Sequence, residues 1–318
     1  MPSLKDVGER ALIDRMIGRI RGYAGLGPGD DAACVDADGV KIVASTDIVT
    51  KERHMPKGMT MEQLGWFAAA VNFSDIASMG ASPIGILAAV SLPPETDEEV
   101  FYEIMNGIDQ CAEFCGTEII GGDTKSGPIS ICGTALGVCR NPPLTRSGAR
   151  PGDVVAVTGA LGSAGAGWHA ALNDIDEKDA ISSVMLPVPR VKEGLFLSDN
   201  GIATSCMDIS DGLSTTASAI CRSSKVGMDI MWESLPRGRG VDNISRILDI
   251  DDKVLMLDSG GEYELMFTFR KDNLDILHSS EMDFSVIGIV TEGSSAYLIE
   301  KGERRQLENR GYEHFTSD

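Results

Sequence analysis

TMEQLGWFAAAVNFSDIASMGASPIGILAAVSL, residues 60–92, reads as a helix running directly into a strand. Thr60 and Gln63 have the spacing of a capping box, which opens a helix by satisfying two of its free backbone N–H groups. Leu64, Phe67 and Val71 recur at three and four residues and mark one apolar face from Met61 to about Ser78. GILAAVSL (85–92) is a buried-strand pattern. The surroundings repeat this alternation. Strands are expected at 32–36, 40–46, 117–122 and 129–138, with a second helix opened by a Thr96–Glu99 box, reaching about Cys115 and closed by Gly116. Alternating strands and helices predict an α/β (α+β) fold.

The stretch CRNPPLTRSGARPGD (139–153), rich in proline, glycine and arginine, marks a boundary. It divides residues 1–140 from residues 141–318, in keeping with two domains for a chain of 318 residues. The second half restarts with VVAVTG (154–159) and carries strand patterns at 204–210, 226–231, 263–269, 284–290 and 296–300. GALGSAGAG (159–167) is read as a tight strand-to-helix turn, with phosphate contact as the alternative; neither GxxxxGK[ST] nor GxGxxG occurs.

Composition narrows the function. A net charge of −20 opposes binding to nucleic acid or an anionic membrane. Seven cysteines, an odd number without a CxxC, read as reduced thiols, and the four histidines do not pair with them at zinc spacing. The N-terminus lacks the apolar core of a signal peptide, and no run approaches the ~20 apolar residues of a membrane span. A cytoplasmic protein is expected. Leu4, Val7, Leu12, Met16 and Ile20 mark one helical face near the start.

Five acidic motifs carry the chemistry: GDDAA (29–33), STD (45–47), NFSD (72–75), GGDT (121–124) and DISDG (208–212). Carboxylates on strand ends and tight turns suit Mg²⁺, which takes oxygen ligands and substrate phosphates. Asp75 lies three helical turns past Leu64, on the apolar stripe, where a carboxylate is costly unless paired or metal-bound; a frayed helix end reaching water is the alternative. Asp208 and Asp211 either share a cation, with Ser210 donating toward a phosphate, or cap the following helix. Asp30 and Asp31 follow Gly-Pro-Gly, with Asp31 read as a turn residue. Two glycines before Asp123 leave room for a ligand against the backbone. Convergence of these acids would require cations or protons, since two charges ~4 Å apart repel by ~4 kcal/mol at an effective dielectric near 20.

The set GPGDDAA, STD, AVNFSDIASMGASP, IIGGDT, LTRSGARPGD, MDISDGL, SGGEYEL and GYEHF closely resembles thiamine-monophosphate kinase, in that family's order from about residue 8 to 315. The resemblance implies ATP as co-substrate, several Mg²⁺ ions and thiamine monophosphate as acceptor. It also implies a mixed N-terminal sheet that pairs across a homodimer into a barrel, with a C-terminal α/β domain closing the cleft. By position, Asp30, Ser45, Thr46, Asp47, Asp75, Asp123, Asp208 and Asp211 would hold magnesium. Gly122, Asp123, Arg146 and Ser210 would contact ATP, and His54, Glu262 and Phe315 the thiamine phosphate. The chain departs from the family's usual pattern at Gly260–Leu265, one acid shorter, at Gly162–Gly167, which lacks an Asp, and at Arg53, where an aromatic is usual.

The expected reaction is direct in-line transfer without a general base, because a phosphate monoester with its second pKa near ~6 is largely dianionic at pH 7. The alternative is a non-catalytic nucleotide- or cation-binding dimer of the same superfamily. Selenophosphate synthetase and the hydrogenase-maturation enzyme are disfavoured, because the first cysteine is Cys34, inside a strand pattern, and the sequence ends Thr316-Ser317-Asp318.

Overall fold

The computed structural model describes residues 3–17, 19 and 26–315. In chain order the elements are α1 (Leu4–Val7), α2 (Glu9–Ile17), β1 (Ala33–Ala37), β2 (Val40–Thr50), α3 (Lys51–His54), α4 (Met61–Ser78), β3 (Ser82–Leu92), α5 (Glu98–Phe114), β4 (Ile119–Ser126) and β5 (Ser130–Cys139). The second half adds β6 (Val154–Thr158), α6 (Ser163–Leu172), α7 (Lys178–Met185), α8 (Val191–Asp199), β7 (Ala203–Asp208), α9 (Leu213–Ser224), β8 (Gly227–Met231) and α10 (Val241–Leu248). It ends with β9 (Leu265–Phe269), α11 (Leu274–His278), β10 (Phe284–Thr291), β11 (Ala296–Glu300) and β12 (Glu303–Gln306).

Two mixed sheets result. The first has the order β1-β2-β5-β3-β4, in which only β3 and β4 run parallel, joined by the α5 crossover. Strand β5 alternates strictly between buried and half-buried residues, as a strand with one covered face must. Its covered face lies on α4. The second sheet has the order β12-β11-β8-β10-β6-β9-β7, in which only β8 and β11 are parallel. Both its faces are covered: Val155 and Val157 of β6 enter one apolar cluster and Ala156 the opposite one.

Helix α4 is the hub. The Thr60–Gln63 capping box is present, with Gln63 N donating to Thr60 Oγ1 at 3.1 Å and Thr60 N to Gln63 Oε1 at 2.9 Å. The single stripe expected on this helix is replaced by burial all round, at Leu64, Ala68, Ala69, Ala70, Phe73 and Ile76 among others. The reason is that α4 packs on the first sheet and α5 on one side, and on α8 and β7 of the second half on the other. A helix apolar on every side is a core helix. It crosses α5 through Gly65 and Gly107: a Cβ on Gly65 would fall 2.0 Å from Ile104 O, and one on Gly107 1.8 Å from Glu62 O.

Other expectations shift. Helix α5 has Asp97 as its N-cap in place of a Thr96–Glu99 box, and it ends at Phe114 with Cys115 as the C-cap and Gly116 just beyond. The N-terminal helix is two pieces, broken at Gly8, whose φ of +75° no continuous helix allows. Leu4, Leu12 and Met16 are exposed, so their shared face is not core, and Ile20 lies outside the described residues. Strand β12 has no apolar signal in its sequence, ERRQ, and was not expected. All seven cysteines are free. Among the described residues no helix is long and apolar enough to cross a membrane.

Candidate active site

Three elements from both halves deliver acids to one point. The last turn of α4 brings Asp75, the end of β7 brings Asp208, and the loop before β1 brings Asp31. One carboxylate oxygen from each lies within 4.8 Å of the other two. These acids form the floor of a cleft of about 880 Å³ between the two sheets, which Asp47, Arg146, Ser210 and Asp211 also line.

Each acid is held by a partner. Ser45 Oγ donates to Asp75 Oδ2. Ser74 Oγ donates to Asp208 Oδ2 at 2.6 Å. Asp47 N donates to Asn72 Oδ1 at 3.0 Å, which ties β2 to α4 beside the floor. Arg146 clamps Asp31 Oδ1 through Nε at 3.0 Å and Nη2 at 2.5 Å, while its backbone N–H donates to Asp30 Oδ1 at 3.0 Å. Asp31, read from sequence as a turn residue, is therefore a floor acid: its side chain is 1% exposed. Asp30 stands behind it as a backbone anchor. Gly212 takes the N-cap position of α9, so neither Asp208 nor Asp211 caps it.

The floor carries more negative charge than its partners neutralise. Burial, then the charges of Asp208, Asp47 and Asp31, hold the Asp75 carboxyl well above the usual range. Burial and Asp31 push Asp208 up to about 8. Burial and Asp31 raise Asp30 to about 6, and burial raises Asp211 to about 6. Asp47 is raised as well, chiefly by burial. Asp31 Oδ2 is buried with no hydrogen-bond partner. An orphaned carboxylate oxygen within a three-acid, all-oxygen cluster is the donor set that a hard divalent cation requires, so these residues fit magnesium.

One side of the cleft is aromatic. Tyr263 meets Phe67 edge-on at 5.9 Å, Phe67 lies 6.0 Å from His54, and His54 lies 6.4 Å from His314. Trp168 and Tyr312 line the same cleft. His54 Nδ1 accepts from Thr50 N at 3.0 Å, and burial lowers its pKa, so the ring is a neutral wall element. The GYEHF segment is anchored here: Tyr312 N donates to Asp211 O at 3.1 Å and His314 N to Glu9 Oε2 at 3.0 Å. Phe67, Trp168, Tyr263 and His314 carry no site role in the sequence reading: Phe67 belongs there to the α4 stripe, and Tyr263 and His314 lie in the SGGEYEL and GYEHF motifs.

Seven of the expected site residues do not line the cleft: Asp30 and Ser45 sit behind it, bonded to Arg146 N and Asp75, and five lie elsewhere. Glu262 accepts from Gly162 N at 2.7 Å and Ala164 N at 3.0 Å, occupying the N-terminus of α6. A buried carboxyl, pushed up to about 8 chiefly by burial, already sits where GALGSAGAG would have offered its backbone to phosphate, consistent with the tight-turn reading of that segment. Phe315 is exposed at 46%. Thr46 turns to the far face of the first sheet and bonds Gly133 O at 2.8 Å. Gly122 and Asp123 lie on β4, where Asp123 is exposed and paired with Lys125 at 3.2 Å. The space beside Gly122 is filled by β3: a Cβ there would fall 1.9 Å from Ala88 O. Strand β4 lies three strand spacings from β2, about 14 Å at ~4.8 Å per step, so Asp123 cannot reach Asp47 within one chain.

Comparison with known proteins gives this cleft a family. Residues 29–139 match the family described as AIR synthase related protein, N-terminal domain, and residues 150–301 its C-terminal domain. The chain is 35% identical to a thiamine-monophosphate kinase of Methanopyrus kandleri over 87% of each protein. It is 34% identical to that of Escherichia coli over 98% of this chain and 99% of that protein. The solved structure of AaThiL complexed with AMPPCP and TMP superposes with a TM-score of 0.89 over 99% of both chains, at 28% identity. Hydrogenase maturation protein HypE in complex with ATP shares the fold, with a TM-score of 0.73 at 21% identity over 95% of each chain. With relatives this similar along nearly its whole length, the chain belongs to the thiamine-monophosphate kinase family of enzymes.

Proposed function

We propose that the chain transfers the γ-phosphoryl group of ATP to thiamine monophosphate, giving thiamine diphosphate, by in-line displacement. The observation that carries this is one cleft holding both the buried acids Asp31, Asp75 and Asp208 and the ring wall of His54, Phe67 and Tyr263. The first suits cation-bound phosphates, the second a heteroaromatic acceptor. The neighbour solved with AMPPCP and TMP supports the same pairing of ligands.

Asp31, Asp75 and Asp208, with Asp30, Asp47 and Asp211 behind or beside them, would hold magnesium, which when bound neutralises phosphate charge and aligns the reacting oxygens. Arg146, pinned on Asp31, keeps a guanidinium at the floor for the nucleotide phosphates. Ser210 and the backbone that follows Asp208 border the same phosphates. His54 packs against the acceptor and takes no proton, since the acceptor phosphate arrives ionised. Positioning and charge balance supply the rate.

Dimerisation belongs to this reading. The far face of the first sheet presents Ile48, Ile84 and Leu87 to solvent, with Ile48 62% exposed. Thr46 and Asp123, which miss the cleft in one chain, both lie on this face. A second copy covering it in a shared barrel would bury the apolar residues and bring Asp123 of the partner subunit toward Thr46 and the floor. Residues 1–140 would then carry the dimer and the magnesium acids, and residues 141–318 would close the cleft. Seven free cysteines support a cytoplasmic setting.

The test is direct. Incubation with ATP, magnesium and thiamine monophosphate should yield thiamine diphosphate and ADP in equal amounts by chromatography. Magnesium-dependent ATP binding without thiamine diphosphate would instead favour a non-catalytic nucleotide-binding dimer.

A further inference from the structure

Tyr263 combines three features that no structural role requires together. Its φ is +53°, a left-handed conformation that bulky residues rarely adopt. The conformation is fixed on both sides. Tyr263 N donates to Ile209 O at 2.9 Å, Gly261 N to Ser210 O at 2.7 Å and Ile209 N to Glu264 O at 2.7 Å. The side chains of its neighbours are committed elsewhere: Glu262 to the α6 N-terminus, and Glu264 to Thr158 Oγ1 at 2.6 Å and Arg190 Nε at 2.7 Å. The Tyr263 side chain alone turns into the cleft, where its ring meets the edge of the aromatic wall at Phe67. Its hydroxyl has no hydrogen-bond partner among the described residues, although Asp47, Asp75, Asp208 and Asp211 are near enough to act on it. A bulky residue held in this conformation by its surroundings, with its side chain in the cleft, is a candidate for function.

The acids and the wall are held at a fixed separation. Phe67 and Asp75 lie eight residues apart on α4, about 12 Å along the axis at ~1.5 Å per residue. Tyr263 bridges that interval, with its ring toward Phe67 and within electrostatic reach of the carboxylates. A phenol is a neutral donor, so it can approach phosphate oxygens without adding charge to an already acidic floor.

We propose that Tyr263 selects the acceptor: its ring packs on the heteroaromatic part, and its hydroxyl donates to an oxygen of the acceptor phosphate. This rests on the kinase reading above. Residues 262–264 would then be a rigid three-residue device in which two buried carboxylates aim the ring between them.

Two variants separate the parts. In Tyr263→Phe the ring stays and the donor is lost; kcat/KM for thiamine monophosphate should fall roughly 10- to 100-fold, the scale of a hydrogen bond to a charged group, while the KM for ATP changes less than about two-fold. In Tyr263→Leu the ring is lost as well, and the KM for thiamine monophosphate should rise further, with the preference over a non-aromatic phosphate monoester reduced. Melting temperature is measured for each variant. An unchanged kcat/KM in Tyr263→Phe, or equal losses toward ATP and acceptor tracking a lowered melting temperature, would overturn the proposal while the wild-type protein still made thiamine diphosphate. A wild-type protein that makes none overturns the kinase reading, and this proposal with it.

Discussion

Asp75 and Asp123 are the same residue type, both follow small-residue motifs, and both were expected to hold magnesium, yet their surroundings are opposite. Asp75 sits on a helix enclosed by both halves, its carboxyl driven upward by burial and three neighbouring acids. Asp123 sits on an edge strand in solvent, its carboxyl held below the usual range by Lys125 and the Thr124 N–H. The first is frustrated without a cation; the second is content as it stands. The contrast shows that ligand identity is set by what surrounds a carboxylate more than by the motif that carries it. It also separates an acid enclosed by its own chain from one that, on the dimer reading proposed above, would serve a second.

The largest expected effect falls on the frustrated acid. Asp75→Asn should lower turnover by about 10³-fold, the scale of several kcal/mol of charge stabilisation. It should also raise the melting temperature of the metal-free protein, because a buried carboxyl that resists ionisation beside other acids is replaced by an uncharged amide. Loss of turnover with a lowered melting temperature would make Asp75 a structural acid. Asp123→Asn should also be inactive, but for another reason, and mixing separates the two. If Asp123 serves the neighbouring subunit, a reassociated equal mixture of Asp75→Asn and Asp123→Asn chains contains half heterodimers, each with one intact site, and should regain about a quarter of wild-type activity. No regained activity would place Asp123 in its own chain's site or in none.

A smaller effect follows from pH. The folded carboxyls of Asp30 and Asp211 titrate near 6 and that of Asp208 near 8, against 3.8 for an ordinary aspartate. The folded state therefore keeps protons that the unfolded chain has released. Stability from these groups is full below about pH 4 and is lost as pH rises through about 6 and then about 8. Metal-free protein should melt several degrees lower at about pH 8 than at about pH 5, and magnesium should restore more at the higher pH. A flat profile by scanning fluorimetry would mean that the floor is already neutralised. The smallest effect concerns Glu262. Glu262→Ala removes the α6 cap and should cost about 1 kcal/mol, or ~2–4 °C in melting temperature. A loss confined to acceptor binding, with melting unchanged, would return Glu262 to the substrate site.

Local periodicity made much of the fold legible. The Thr60–Gln63 box starts α4 as written, and the strand expected at 129–138 is β5, because both patterns are decided within a few residues. The same locality misled elsewhere. The N-cap of α5 is Asp97, one position past Thr96, and Gly8 interrupts an apolar spacing that otherwise continues. Preferring Asp31 to Asp30 is beyond any local pattern, since what orients Asp31 inward is a guanidinium 115 residues later. The aromatic wall was invisible for the same reason: Phe67 and Tyr263 are nearly two hundred positions apart and meet only after both sheets are built.

The burial of α4 on every side has a consequence for how the molecule comes apart. Its cluster takes in Ala164, Val184, Met185 and Val191 from the second half alongside the first sheet. Neither half can loosen without exposing the shared helix, so calorimetry is expected to register a single cooperative transition in place of two domain melts. A chain cut near residue 140 would leave one flank of α4 without its cover, and such a fragment is expected to aggregate.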